Sequence, residues 1–282
     1  MHKFDRTHRR QLLGTLALVA MAAFGRPGAA LAADTIKIGV LPGVYADSVE
    51  AVVDEAKTQG LDVKVIEFSD WTTPNLALQS GDIDVNYFQH RPFMDNAAKS
   101  AGFDFADAGV GVLANIGLYS LKHKSFDDIP DKGTVAVASD PVNQGRCLLL
   151  MQKAGLIKLK DGVGFHGTLD DIVDNPKHLQ FSEVEGPQLA RVAGDVDLAF
   201  GYPHYIVAAH SFDPSSGLIY SGIDDKQFAI LFAVRKDRAA DPVIRKFVQI
   251  YQTSPKVRAA ISKAFADNPK LYTLPWDMIG RS

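Results

Sequence analysis

Two stretches of the chain nearly repeat each other. Ser80–Gln89 reads SGDIDVNYFQ and Ala193–Tyr202 reads AGDVDLAFGY. In each, a Gly-Asp turn runs into a short apolar strand that ends in aromatic and polar residues. The echo extends upstream. TIKIGVLPG from Thr35 and TVAVASDP from Thr134 are both β-branched strands followed by a turn containing Gly or Pro. Such a repeat constrains the chain to two similar α/β lobes of roughly a hundred residues each. In lobes of this kind ligands bind beyond the carboxyl ends of the strands, at the switch point of the sheet. Two lobes with facing strand ends enclose a cleft.

The hydrophobic spacing fills in the units. Residues 35–41 alternate into a buried strand, and residues 46–59 carry apolar positions at helical spacing, stopped by Gly60. A strand at 63–68, a helix from Pro74 to Gly81 and a strand at 83–88 complete β-α-β-α-β, the unit of a parallel sheet. A helix is expected at 92–101 and a linking strand at 117–122. The second lobe repeats the order with a strand at 134–139, a helix at 141–154, and strands at 179–184 and 196–200. FAILFAVR (228–235) is a further apolar strand that returns the chain to the first lobe. Helices begin at Pro242 and Pro255. The fold class is therefore α/β, in two lobes, each a mostly parallel sheet flanked by helices. Lobe one covers 34–118 plus 228–282, and lobe two covers 119–227.

Residues 1–33 read as a secretory signal. Arg6, Arg9 and Arg10 precede an apolar run from Leu12 to Phe24, and Ala30-Leu31-Ala32 offers a small-residue cleavage site. The run is shorter than the ~20 apolar residues of a membrane span. Arg9-Arg10 followed by Gln11-Leu12-Leu13 resembles a twin-arginine export motif, with ordinary Sec export the alternative. No cysteine stands at the cleavage site to carry a lipid. The single cysteine, Cys147, precedes three leucines and reads as a buried small apolar residue. One cysteine excludes an internal disulfide. Five of the 30 Lys and Arg and one of the 33 Asp and Glu lie before residue 34, which leaves a net charge of −7 on the remainder. That balance opposes nucleic-acid binding, which needs a basic footprint.

Three segments carry candidate site chemistry. In SDPVNQGRCLLL (139–150), Asp140 is a good N-cap and Pro141 suits the first helical position. The helix N-terminus is a natural seat for a carboxylate. Arg146 adds a bidentate contact to that carboxylate, and Asn143 sits at the mouth. The alternative is a surface arginine and a turn asparagine. In NYFQHRPF (86–93), Tyr87, Phe88, Phe93 and His90 stand where a cleft wall belongs. The alternative is that the phenylalanines are core and His90 caps a helix. Trp71, after the second strand, adds another aromatic wall or covers the sheet. Tyr202 and His204 in GYPHY occupy the matching place in lobe two. Neither a G-x-S-x-G elbow nor an H-E-x-x-H motif is present, and the histidines show no metal-ligand spacing. No catalytic residue, metal or cofactor is expected.

These segments resemble the methionine-binding proteins of ABC importers, the NlpA or MetQ-type family. The resemblance rests on FSDWTTPNLAL (68–78), IDVNYFQHRPF (83–93), GLYS (117–120), DPVNQGRCLLLMQKAGLIKLKDG (140–162), DIVDNPKHLQF (171–181) and VRKDRAADPVIRKFVQIYQ near the C-terminus. It implies a two-lobed type II-like periplasmic binding fold that closes on a free amino acid and delivers it to a membrane permease driven by a cytoplasmic ATPase. Carried over by position, it makes Trp71, Phe88, His90 and Phe93 the wall of the side-chain pocket. Arg146 then holds the carboxylate, with Asn143 nearby. The departures are specific. Tyr202-Pro203-His204-Tyr205 replaces the family's N-G-N-Y. Val112-Leu113-Ala114-Asn115 replaces H-x-E-P, and Val44 and Tyr45 replace a proline and a histidine. The lipoprotein cysteine is missing. Lost hydrogen-bond partners cost about 1–3 kcal/mol per group, so the departures point to a shifted or different ligand.

The sequence thus describes a non-enzymatic substrate-binding protein that works by hinge closure. It is expected to be periplasmic, soluble, monomeric and without a lipid anchor. Methionine is the default ligand. A different amino acid or small organic anion, for import or sensing, is the alternative, and a periplasmic enzyme using a cleft histidine is a more distant one.

Overall fold

The computed structural model describes residues 34–278. The export signal with its arginine pair lies outside them. The chain enters on β1 (Asp34–Val40), which buries Ile36, Ile38 and Val40. α1 (Val44–Thr58) buries Val49, Val52 and Ala56 on one face. β2 (Leu61–Glu67), α2 (Thr73–Ser80) and β3 (Val85–His90) follow, and both strands run parallel to β1. α3 (Arg91–Ala101) leads to β4 (Phe105–Val110). The chain then crosses to a second sheet through β5 (Leu113–Ala114) and β6 (Gly117–Tyr119). β6, at the boundary of the expected lobes, is hydrogen-bonded within the second sheet.

The second sheet is laid down by β7 (Thr134–Ala138), α4 (Pro141–Lys153), the small hairpin β8 (Lys158–Leu159) and β9 (Ile172–Asp174), and β10 (Gln180–Val184). It continues with α5 (Leu189–Val192), β11 (Leu198–Gly201), α6 (Pro203–Ala208) and β12 (Ile219–Tyr220). The chain returns on β13 (Ile230–Arg235) and ends in α7 (Pro242–Thr253), α8 (Pro255–Ala264) and β14 (Tyr272–Thr273). β14 pairs with β5 at the crossing.

The two large sheets have five strands each, ordered β2-β1-β3-β13-β4 and β10-β7-β11-β6-β12. The first three strands of each thus stand in the same order, and the repeat seen in the sequence is a repeat of structure. Its second aspartate does the same work in both copies. Asp84 Oδ2 accepts from the Lys37 N–H at 2.8 Å, and Asp197 Oδ2 accepts from the Thr134 N–H at 2.8 Å. The backbone beside each is joined the same way, Asp84 N–H to Lys37 O and Asp197 N–H to Thr134 O. Each aspartate pins the entry of the strand that lies beside it.

Two differences from the sequence-based expectation bear on the site. β3 runs to His90, two residues past the expected end, because the turn after Gly81 holds Asp82–Asp84 outside the strand. β13 starts at Ile230, because Lys226–Phe228 wind into a single 3-10 turn. That turn frees Phe228 from the sheet.

Candidate functional site

The carboxyl ends of the strands from both sheets face one cavity, as expected for open α/β sheets. Tyr45 follows β1, Trp71 follows β2, and Phe88, His90 and Phe93 close β3. From the other side come Asn143 and Arg146 on α4, and Tyr202, His204 and Tyr205 at the β11–α6 junction. The free space between these walls, its opening to solvent included, is about 440 Å³.

The polar floor is a chain of hydrogen bonds that runs between the lobes. His90 caps α3, its Nδ1 accepting from the Phe93 N–H at 3.2 Å. Its proton therefore sits on Nε2, which donates to Asn143 Oδ1 at 3.1 Å. Burial, helped by the Arg146 charge, pushes the His90 pKa down to about 3, so the ring is neutral. Asn143 spends its amide hydrogens on the two Asp140 oxygens, at 3.1 Å each. Asp140 also caps α4 by accepting from the Asn143 N–H at 2.9 Å. Burial raises the Asp140 pKa, opposed by these bonds.

Arg146 is the charge of the site. It is only 8% exposed, and desolvation lowers its pKa. Its Nη1–H donates to Asn143 Oδ1 at 2.9 Å, and its guanidinium lies 4.0 Å from the centre of the Phe228 ring. Among the described residues it makes no other hydrogen bond. A buried guanidinium without a carboxylate partner is costly, and an incoming carboxylate removes that cost.

The walls are aromatic. Trp71 meets Phe93 and Tyr202 edge-on at 5.8 and 5.9 Å, and its Nε1–H donates to Tyr205 Oη at 3.3 Å. Tyr45 Oη is 3.2 Å from His204 Nε2. Two buried polar atoms of these walls have no partner, Tyr202 Oη and His204 Nδ1. Burial also pushes the His204 pKa down to about 3.

Of the sequence-derived candidates, Trp71, Phe88, His90, Phe93, Asn143, Arg146, Tyr202 and His204 all line the cavity. Tyr87 does not. As the neighbour of Phe88 on a strand it points to the opposite face. There it stacks on Phe232 at 4.3 Å, bonds Tyr251 Oη at 2.9 Å and accepts from the Val112 N–H. Tyr87 is a core residue. Three further aromatics of the wall, Tyr45, Tyr205 and Phe228, were not among the sequence-derived site candidates. Tyr45 and Tyr205 lie in the first turns of α1 and α6, the helices that follow β1 and β11. Phe228 was hidden by its reading as the first residue of a strand.

Among the described residues no three metal-binding side chains cluster tightly enough to hold a metal ion, and no helix is long and apolar enough to cross a membrane. Cys147 is fully buried in α4, and burial raises its thiol pKa.

Two helix-flanked sheets with a cavity at their facing strand ends define the type II-like substrate-binding fold. The sequence model of the NlpA lipoprotein family matches residues 36–271, and the chain belongs to that family. It is 40% identical over 256 residues to the D-methionine-binding lipoprotein MetQ of Escherichia coli O157:H7, covering 90% of this chain and 92% of that protein. A nutrient-binding protein from Burkholderia cenocepacia, solved bound to methionine, superposes with a TM-score of 0.75 at 39% identity, over 82% of this chain and 97% of that one. An ABC transporter periplasmic substrate-binding protein from Coxiella burnetii superposes with a TM-score of 0.76 at 35% identity, over 82% and 97%.

Proposed function

We propose that the chain is the periplasmic substrate-binding component of an ABC importer. It captures a small carboxylate with an apolar body between its lobes and presents it to a membrane permease with a cytoplasmic ATPase. The observation that carries this is Arg146, a buried cation with no carboxylate hydrogen-bonded to it among the described residues, facing a cavity walled by Trp71, Phe88 and Phe93. Methionine is the first ligand to test, because the related proteins are named for it or were solved with it. The aromatic walls suit an unbranched thioether, which packs favourably against ring edges.

The chain acts by binding rather than catalysis. Both His90 nitrogens are engaged and the ring is neutral; His204 reaches the Tyr45 hydroxyl, and no serine, threonine or cysteine lines the cavity among the described residues. The relatives are named lipoproteins, whereas the single cysteine of this chain, Cys147, is buried in α4. Release from cells without detergent is the expected result, and detergent-dependent release contradicts it.

The test is a thermal-shift panel of amino acids and organic acids on wild type and Arg146→Ala. Carboxylates with apolar chains raise the midpoint of the wild type. At a concentration 100 times Kd the gain is about 2.7 kcal/mol. The variant shows no gain. A variant that responds like wild type removes Arg146 from the site.

A further inference from the structure

A second cavity lies behind the ligand cavity. Leu113 and Ile116, where the chain crosses to the second sheet, Leu149 and Lys153 of α4, and Gly222 and Asp225, where it returns, contribute to its lining. Its free space, its opening to solvent included, is about 570 Å³. Ile116, Arg146 and Phe228 line both cavities. They form the partition between the two, and the Phe228 ring is its largest apolar plate.

That ring is held from several sides. The Arg146 guanidinium lies 4.0 Å from its centre, and His90 and Phe165 meet it edge-on at 5.1 and 5.7 Å. The 3-10 turn Lys226–Phe228 fixes its backbone, with the Phe228 N–H donating to Asp225 O at 3.1 Å. A guanidinium stacked on a ring keeps its N–H groups in its own plane, free for a ligand. A carboxylate that binds Arg146 therefore has the Phe228 ring beside it.

A free amino acid ends at its carboxylate. A peptide continues past the same carbon through an amide, and the continuing atoms need the space that the ring fills. Obstructing a wrong ligand discriminates as well as contacting the right one does. Beyond the ring, the second cavity has room for such a continuation. Lys153 is exposed there and can meet a carboxylate, while Asp225 already accepts from Gln227 at 2.8 Å.

We propose that Phe228 is a specificity-determining residue. Its ring closes the carboxylate end of the ligand cavity, so that a single amino acid is taken and a peptide extended from its carboxyl group is refused. The proposal rests on the reading that Arg146 seats the carboxylate of a methionine-like ligand.

The test is isothermal titration calorimetry at neutral pH with L-methionine and L-methionyl-glycine. The proteins are wild type, Phe228→Ala, Phe228→Leu and Arg146→Ala. Wild type is expected to bind methionine about a hundredfold or more tighter than the dipeptide. Phe228→Ala joins the two cavities, and the dipeptide gains about tenfold or more in affinity. Methionine loses up to about tenfold with the stacked ring. Phe228→Leu keeps the partition closed and the dipeptide refused. Thermal melts establish that each variant folds, and Phe228→Val opens the partition should Phe228→Ala not fold. A dipeptide that gains nothing in the folded, opened variant, or that wild type binds as tightly as methionine, overturns the role of Phe228 and leaves the carboxylate-capture reading standing. Methionine that fails to bind wild type, or that binds Arg146→Ala undiminished, overturns that reading and the proposal with it.

Discussion

Tyr202 shows how a single residue serves the bound protein at the expense of the empty one. Its hydroxyl is buried without a hydrogen-bond partner, and a stranded polar group of this kind costs about 1–3 kcal/mol. Phenylalanine keeps the ring contacts to Trp71 and Phe200 and removes the stranded oxygen. Tyr202→Phe is therefore expected to raise the ligand-free unfolding free energy by about 1 kcal/mol, read by urea denaturation. The same change lowers affinity for a carboxylate ligand about tenfold. A variant that loses stability would show that the hydroxyl is already satisfied in solution. Asn143 illustrates the complementary case. The sequence places it at the mouth of a helix beside Arg146. Its bonds to Asp140 and Arg146 are local, but its link to His90 depends on the first lobe arriving, which no local pattern records.

At the level of elements, the repeated Gly-Asp motif is a device for starting strands. Asp197 accepts from the Thr134 N–H and hydroxyl and from His123. The His123 hydrogen bond, with those from Thr134, holds its pKa down to about 2. Because the folded value lies below the unfolded one, the contribution is present above about pH 4 and is lost as pH falls toward 2. Asp197→Ala is expected to cost about 1 kcal/mol at pH 7, since the site is partly solvated. The gap to wild type narrows toward pH 2 in denaturant titrations. A gap that stays constant with pH would assign the loss to packing. The same motif explains what the sequence made legible. Each β-α-β-α-β unit is written in local periodicity and turn residues, so both could be traced. β4 (FADAGV) could not, because it has no apolar alternation and is a strand only through pairing with β13. β5 and β14, two residues each, exist only by pairing with one another across the crossing. Phe228 was misplaced for a related reason. A continuous apolar run does not show where a 3-10 turn gives way to a strand.

Across the whole molecule, closure depends on how nearly the lobes can meet, and one close meeting is at Gly186. This residue follows β10 in the second lobe, and Trp71 of the first lobe lies directly over it. A Cβ at Gly186 would overlap the six-membered ring of the indole, so only glycine lets the ring settle there. Settled, the ring reaches Tyr202 and donates to Tyr205, which joins both halves of the aromatic wall around the ligand. Gly186→Ala is expected to leave each lobe folded while holding the two apart. Overpacking of about 1–3 kcal/mol then falls on the closed form alone. Ligand affinity drops about tenfold or more, and the radius of gyration with saturating ligand, measured by small-angle X-ray scattering, stays larger than that of wild type. Adding Trp71→Phe to the variant relieves the overlap and recovers part of the affinity, although the same change in wild type weakens binding by removing the bond to Tyr205. Wild-type affinity in Gly186→Ala would mean that the indole has another resting place in the closed protein and that closure does not turn on this contact.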